Sequence, residues 1–331
     1  MSVFTLPSEE ALAHWLDGYA IGQLTGFEGI AEGVQNSNFF VTTTLGRYVL
    51  TLFEDIARAD LPYYLHLMAH LARHGLPAPA PIANRDNEYL GALAGKPAVL
   101  VSRLPGVSEA NPGATHCARI GDMLAVLHLA GRSYGRRQAN PRGSHWRART
   151  AALLRPHLPA DEAALLDAEL RFQAEAADLS HLPAGAIHGD LFRDNVLWSG
   201  EFISGVIDFY FAGHDALLFD VAVTVNDWCG THAGGLDPAR VEALLTAYHA
   251  ARAFTEAERA AWPAMLRAAA LRFWLSRAIA RYLPRAGALI PPKGEVSNRN
   301  PFSMKDPGEY RDILLQRMRA IPPLPVSDAK R

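Results

Sequence analysis

His188-Gly189-Asp190-Leu191-Phe192-Arg193-Asp194-Asn195 sets an Asp five positions ahead of an Asn after a short strand-like run, and Val206-Ile207-Asp208 puts another acid at a strand end. Phosphoryl transfer calls for this set. One carboxylate orients an attacking hydroxyl and accepts its proton, and hard oxygen ligands hold Mg²⁺ against the phosphates. Asp190, Asn195 and Asp208 can supply all three services between them. A lone His-Gly-Asp run is also an ordinary Asx turn between strands; the joint presence of Asn195 and Asp208 favours chemistry over that reading.

Upstream, Gly29-Ile30-Ala31-Glu32-Gly33-Val34-Gln35-Asn36-Ser37-Asn38 lies where a loop covers nucleotide phosphates in phosphoryl-transfer enzymes. It is not a G-x-G-x-x-G. Asn36, Ser37 and Asn38 carry side chains able to donate to phosphate oxygens beside backbone N–H groups. A P-loop is excluded, because Gly91-Ala92-Leu93-Ala94-Gly95-Lys96 has the wrong spacing and Pro97 stands where Ser or Thr must meet Mg²⁺. Lys96 then reads as a solvated lysine at a strand edge.

These residues need elements to position them. Residues 37 to 53 read as a hairpin turning around Leu45-Gly46-Arg47, which makes an antiparallel sheet near the N-terminus. Leu61, Tyr64, Leu65, Met68, Leu71 and Ala72 recur at helical spacing, with Asp60 as N-cap and Gly75 as stop, a helix expected to pack on that sheet. Pro97 to Ser102 is a buried-strand pattern, and Arg103-Leu104-Pro105-Gly106 suits a hinge, so the expected lobes are residues 1–102 and 103–331. From 115 onward amphipathic helices dominate, interrupted at 186 to 211 and resuming at about 238 to 253, 256 to 283 and 307 to 320. Thr255 with Glu258 forms a capping-box pattern; Asp306, Pro307 and Glu309 give a cap, a first-turn proline and an acid. No repeat interrupts this order.

Composition sets outer bounds. A chain of 331 residues, 49% hydrophobic and 20% charged, is ordinary for a soluble two-lobed protein. The N-terminus lacks the pattern of a signal peptide and no long apolar run is present, so a cytoplasmic protein without a membrane partner is expected. A net charge of -2 gives no electrostatic reason to expect nucleic acid, and the basic group Arg132, Arg136, Arg137 and Arg142 reads as a solvated loop. Cys117 and Cys229, far apart in the chain, read as reduced thiols.

The segments GIAEGVQNSNFF, YVLTLFE, HGDLFRDNVLW, GVIDFYFAG, VNDWC and RFWLSR carry a nearly end-to-end resemblance to the aminoglycoside phosphotransferase-like kinases, and within them to the type II homoserine kinases. The resemblance implies an α+β, protein-kinase-like two-lobed fold with a small antiparallel-sheet N-lobe and a larger, mainly helical C-lobe. It also implies ATP and Mg²⁺ as cosubstrate and cofactor, L-homoserine as the small-molecule acceptor, and a place in threonine biosynthesis. On the matching positions, Asp190 is the base, Asn195 and Asp208 ligate Mg²⁺, His188 shapes the loop and Asp220 supports it from behind. Adenine would meet backbone groups near Ser102 to Leu104.

One departure stands out. Where most kinases place a strand Lys paired to a helix Glu, this chain has Val49-Leu50-Thr51-Leu52 and a following helix without Glu, a strand pattern that the type II homoserine kinases share. That absence motivates a rival reading as a catalytically silent nucleotide-binding module, against which the retained Asp190, Asn195 and Asp208 argue. For the acceptor, Arg272 and Arg277 offer guanidinium groups for a carboxylate, with Asn226, Asp227 and Trp228 as a complementary face. Tyr210, Trp228 and Asp227 also read as a cation box for choline or ethanolamine, which two nearby arginines would oppose. An aminoglycoside acceptor would want a broad acidic cleft.

Overall fold

A computed structural model describes residues 4–30, 36–176, 179–283, 306–319 and 321–326. The described residues form two compact units, one within residues 1–106 together with 204–210 and one within residues 107–203, 211–283 and 306–326.

The first unit is built on one antiparallel sheet. Strands β1 (Leu24–Gly29), β2 (Asn36–Thr43), β3 (Gly46–Phe53), β4 (Leu90–Leu93) and β5 (Lys96–Ser102) lie in the order β1-β2-β3-β5-β4. The expected hairpin is β2–β3, closed by Thr44-Leu45 with Thr43 opposite Gly46. Strand alternation sends Leu50 and Leu52 to one face, where they meet Phe39, Val41, Ala98 and Leu100 beneath helix α1 (Glu9–Leu16) through Leu12 and Leu16. Thr51 and Phe53 point to the other face. Helix α2 (Leu61–Arg73) starts where its periodicity predicts, but Asp60 does not cap it with its side chain; a proline in the first turn suits the entry instead.

Ser204–Tyr210, counted with the second lobe on sequence, packs with the first unit. Val206 N–H donates to the Pro77 carbonyl (2.8 Å), and the Tyr210 ring stands edge-on to Phe53 of β3 (4.9 Å) and Tyr64 of α2 (6.0 Å). That aromatic bridge ties helix to sheet.

The second unit is mainly helical: α3 (Ala114–Gly131), α4 (Ser144–Leu154), α5 (Ala160–Glu175), α6 (Leu217–Trp228), α7 (Pro238–Ala251), α8 (Glu256–Tyr282) and α9 (Pro307–Arg319). Helices α3 and α7 approach so closely that a Cβ on Gly121 would lie 2.1 Å from the Leu244 carbonyl oxygen. Thr255 and Glu258 form the expected reciprocal box at the start of α8, and Glu258 also receives Arg252 at 2.8 Å. Short strands break the helical run as expected: β7 (Ala184–Ile187) pairs with β10 (Gly213–Ala216), β6 (Val107–Ser108) pairs with β8 (Val196–Ser199), and β9 (Phe202–Val206) leads the chain into the segment counted with the first unit.

Candidate active site

The turn after β7 is held in place by one buried carboxylate. Asp220, in the first turn of α6, accepts the backbone N–H of His188 at 2.7 Å and of Gly189 at 2.8 Å. His128 from α3 donates Nε2–H to the same carboxylate (3.1 Å), and its Nδ1 accepts the Tyr248 hydroxyl (2.7 Å), which fixes the neutral tautomer. Burial works against the charge of Asp220, but the hydrogen bonds and the imidazoles beside it win, holding its carboxyl below the ordinary range. Burial likewise pushes His128 down, so it stays neutral. Gly189 has φ of 76°, and a Cβ there would lie 2.6 Å from the Phe211 carbonyl, so the position needs glycine.

Beyond Gly189 the loop presents Asp190. Its N–H donates to His188 Nδ1 (3.2 Å). Asn195 spans the turn: its Nδ2 donates to the Asp190 carbonyl (2.8 Å) and faces Asp190 Oδ2 at 3.4 Å, so the amide oxygen is the atom it could offer to a metal. Arg272 of α8 places Nη2 3.2 Å from Asp190 Oδ1, and the Asp190 side chain keeps 16% of its surface open.

Two candidate acceptor contacts turn inward to the loop. Asp227 accepts Arg193 N–H at 2.9 Å and pairs with its guanidinium at 3.1 Å. Trp228 is fully buried and donates its indole N–H to the Leu191 carbonyl (3.1 Å), which corrects its reading as an acceptor contact. Asn226 is corrected for the same reason: both ends of its buried amide are used, one by the Leu266 carbonyl and the other by Arg317 Nε. Arg277 pairs with Glu309 at 2.6 Å and lies over the Tyr310 ring. Tyr310 is a buried residue that sequence reasoning did not single out. It stacks on Phe192 of the loop and on Phe273, and only a contact between α9 and the loop would have pointed to it.

In the first unit, residues 31–35 of the expected phosphate loop lie outside the described residues. Ser37 is not available for phosphate: its buried hydroxyl accepts the N–H groups of Phe4 and Thr5 and donates to Glu54 (2.7 Å). Asn36 is buried with an unpartnered Oδ1, and Asn38 Oδ1 accepts the Thr51 hydroxyl at 2.8 Å. Thr51, in the place of the usual lysine, spends that hydroxyl on Asn38. Lys96 is not a solvated edge lysine either. It pairs at 2.9 Å with Glu54, the residue just past the end of β3. Partial burial works against that carboxylate, but the hydrogen bonds of Lys96, Ser37 and Thr5 hold its pKa down. Ser102 spends its hydroxyl and N–H on Ala80, whereas Leu104 is half-buried between the exposed Arg103 and Pro105. Asp208 is exposed, with φ of 63° for a non-glycine residue.

In the second unit Arg142 departs from its reading as a solvated arginine, lying over the rings of Trp146 (4.6 Å) and Phe211 (5.4 Å). Cys117 and Cys229 are both free and buried, and the Cys117 thiol donates to the Trp228 carbonyl at 3.7 Å. No described helix is long and apolar enough to cross a membrane.

Residues 26–254 match the model of the phosphotransferase enzyme family, and the chain belongs to that family. Its relatives include a homoserine kinase of Methylobacillus flagellatus, 53% identical with 97% of this chain and 96% of that one covered. Another, from Cupriavidus necator, is 49% identical with 98% and 99% covered. Among solved structures, an amicoumacin kinase in complex with AMP-PNP and Ca²⁺ aligns with a TM-score of 0.68 at 14% identity, covering 94% of this chain and 92% of that one. A choline kinase of Streptococcus pneumoniae aligns at 0.65 and 14%, covering 94% and 99%. These likenesses bear out the protein-kinase-like α+β fold.

Proposed function

We propose that this protein is an ATP-dependent homoserine kinase of the cytoplasm, making O-phospho-L-homoserine on the route to threonine. The observation that carries the reading is the pairing of a loop carboxylate with a buried guanidinium, Asp190 with Arg272 at 3.2 Å, which suits an acceptor bearing both a hydroxyl and a carboxylate. Full-length relatives bearing the homoserine kinase name support it. Choline and aminoglycoside acceptors are not favoured, since a buried cation beside the base opposes a cationic ligand.

In this reading the acceptor hydroxyl attacks the γ-phosphorus, its proton passes to Asp190, and the bond to the bridging oxygen breaks with its electron pair leaving on ADP. Asp220, Trp228 and Asp227 take no part in the proton transfer; they hold the loop that aims Asp190. Arg272 receives the acceptor carboxylate, with Arg277 and Tyr210 as secondary candidates. The donor set fits Mg²⁺: Asn195 contributes an amide oxygen fixed by its own Nδ2 bonding, Asp208 an exposed carboxylate, both hard ligands. A bound Mg²⁺ would neutralise phosphate charge. Asn36, Asn38 and the backbone at Leu104 are the proposed nucleotide contacts.

The test is ADP release with MgATP across L-homoserine, L-threonine, L-serine, choline, ethanolamine and an aminoglycoside. Selective turnover of L-homoserine is expected; selective turnover of any other acceptor rejects the assignment.

A further inference from the structure

We infer that Arg272 latches the base: in the resting enzyme it occupies Asp190, and the acceptor's carboxylate releases Asp190 by drawing the guanidinium onto itself. The inference rests on the homoserine reading and adds a role for the acceptor's own carboxylate in arming the site.

The carboxylate of Asp190 is engaged before any substrate arrives. Oδ1 lies 3.2 Å from Arg272 Nη2, and Oδ2 faces Asn195 Nδ2 at 3.4 Å. A carboxylate with both oxygens so engaged competes poorly for the proton of a hydroxyl. Arg272, for its part, is incompletely satisfied. A guanidinium binds carboxylate best through the edge formed by Nε and Nη2, and Arg155 does so on Asp167, at 2.8 and 2.7 Å. On Arg272 the same edge has Nη2 on Asp190 while Nε is buried without any partner. Half of a two-pronged site is therefore unused in an otherwise buried side chain, and an unpartnered buried donor favours any rearrangement that fills it.

The surroundings allow the guanidinium to shift only along a defined path. Its Cζ lies 3.7 Å from the centre of the Phe273 ring and 5.0 Å from that of Phe211. Aromatic faces hold a guanidinium by its plane and leave its edges free to exchange partners. A carboxylate able to take Nε and Nη2 together offers the complete fork that Asp190 does not.

The latch is tested with L-homoserine and 3-amino-1-propanol, the same amino alcohol without the carboxylate, at saturating MgATP. For wild type the latch predicts that kcat, and not only KM, falls on the order of a hundredfold with the truncated acceptor. Propionate added separately should restore roughly tenfold or more of that loss. Arg272→Met decides between a latch and a simple binding contact. Freed of its counter-ion, Asp190 should turn over 3-amino-1-propanol several-fold faster than wild type, roughly the scale of one charge-assisted hydrogen bond, while KM for L-homoserine rises. Equal wild-type kcat for the two acceptors overturns the latch, as does an Arg272→Met variant no faster than wild type on 3-amino-1-propanol. Should that variant fail to fold, the wild-type propionate arm decides alone, and absence of stimulation rejects the latch. Absence of any turnover of L-homoserine by wild type instead rejects the acceptor reading and the latch with it.

Discussion

At Asp190 the proposed chemistry comes down to one proton. Asp190→Asn keeps the shape of the side chain but cannot accept that proton and turns an NH₂ toward one of the donors Arg272 and Asn195, so kcat should fall about 10²- to 10⁴-fold, the range for general base catalysis. Nucleotide affinity, read by titration, should stay within a few fold; a variant with wild-type-like kcat would remove the base assignment. The spacing that singles out Asp190 and Asn195 was legible in sequence because the hydrogen bond from Asn195 to the Asp190 carbonyl closes a local turn. Asn226 and Trp228 misled, because residue type does not reveal that both are buried with every polar group used inside. Arg272 was visible as a cation, but its partner is far along the chain. Periodicity along one helix says nothing about which distant loop that helix meets.

At the level of elements, α6 carries the catalytic loop from behind with three successive attachments, Asp220, Asp227 and Trp228. Trp228→Phe preserves most of the buried ring and deletes the hydrogen bond to Leu191, leaving a buried carbonyl unpaired at a cost of about 1–3 kcal/mol. A lowered melting temperature accompanied by reduced kcat is expected; an unchanged kcat would show that the loop does not need this attachment. The anchor at Asp220 also gives a sign to the pH dependence. His128 is pushed below its ordinary 6.5 in the folded chain, so below that value the unfolded chain binds the extra proton. Stability should therefore fall as pH drops through 6.5 toward the depressed folded value. Asp220, itself held below 3.8, gives a contribution that is full above that value and is lost as pH falls from it toward the depressed folded value. Thermal melts from about pH 8 to about pH 5 should show the first effect. His128→Gln, which can donate to Asp220 and accept from Tyr248 without titrating, should flatten it, and an equal slope in both proteins would exclude His128 as its source. The elements themselves were largely legible: β2–β3, α2 and α8 follow periodicity and caps. Strands β1 and β4 were not, since Leu24–Gly29 and Leu90–Leu93 are short, glycine-containing and strand-like only once β2 and β5 pair with them.

For the molecule as a whole, composition and the order of strands before helices point to two units, yet Ser204–Tyr210 escapes that reading because Tyr210 finds its neighbours Phe53 and Tyr64 far earlier in the chain. The segment carries Asp208 with it, on a backbone whose positive φ a non-glycine residue rarely adopts. That strained geometry is retained at the residue proposed to meet Mg²⁺, which makes global stability a probe of the proposal. A ligand bound only by the native chain stabilises it by about 2.7 kcal/mol at a hundred times its dissociation constant. MgATP should therefore raise the melting temperature by more than ATP with a chelator does. If Asp208 is a metal ligand, Asp208→Ala should lose the Mg²⁺-dependent part of that rise while retaining the part due to nucleotide alone. Equal Mg²⁺-dependent stabilisation in variant and wild type would place the metal elsewhere, and a large loss of stability without ligand would mean that Asp208 is held for structure.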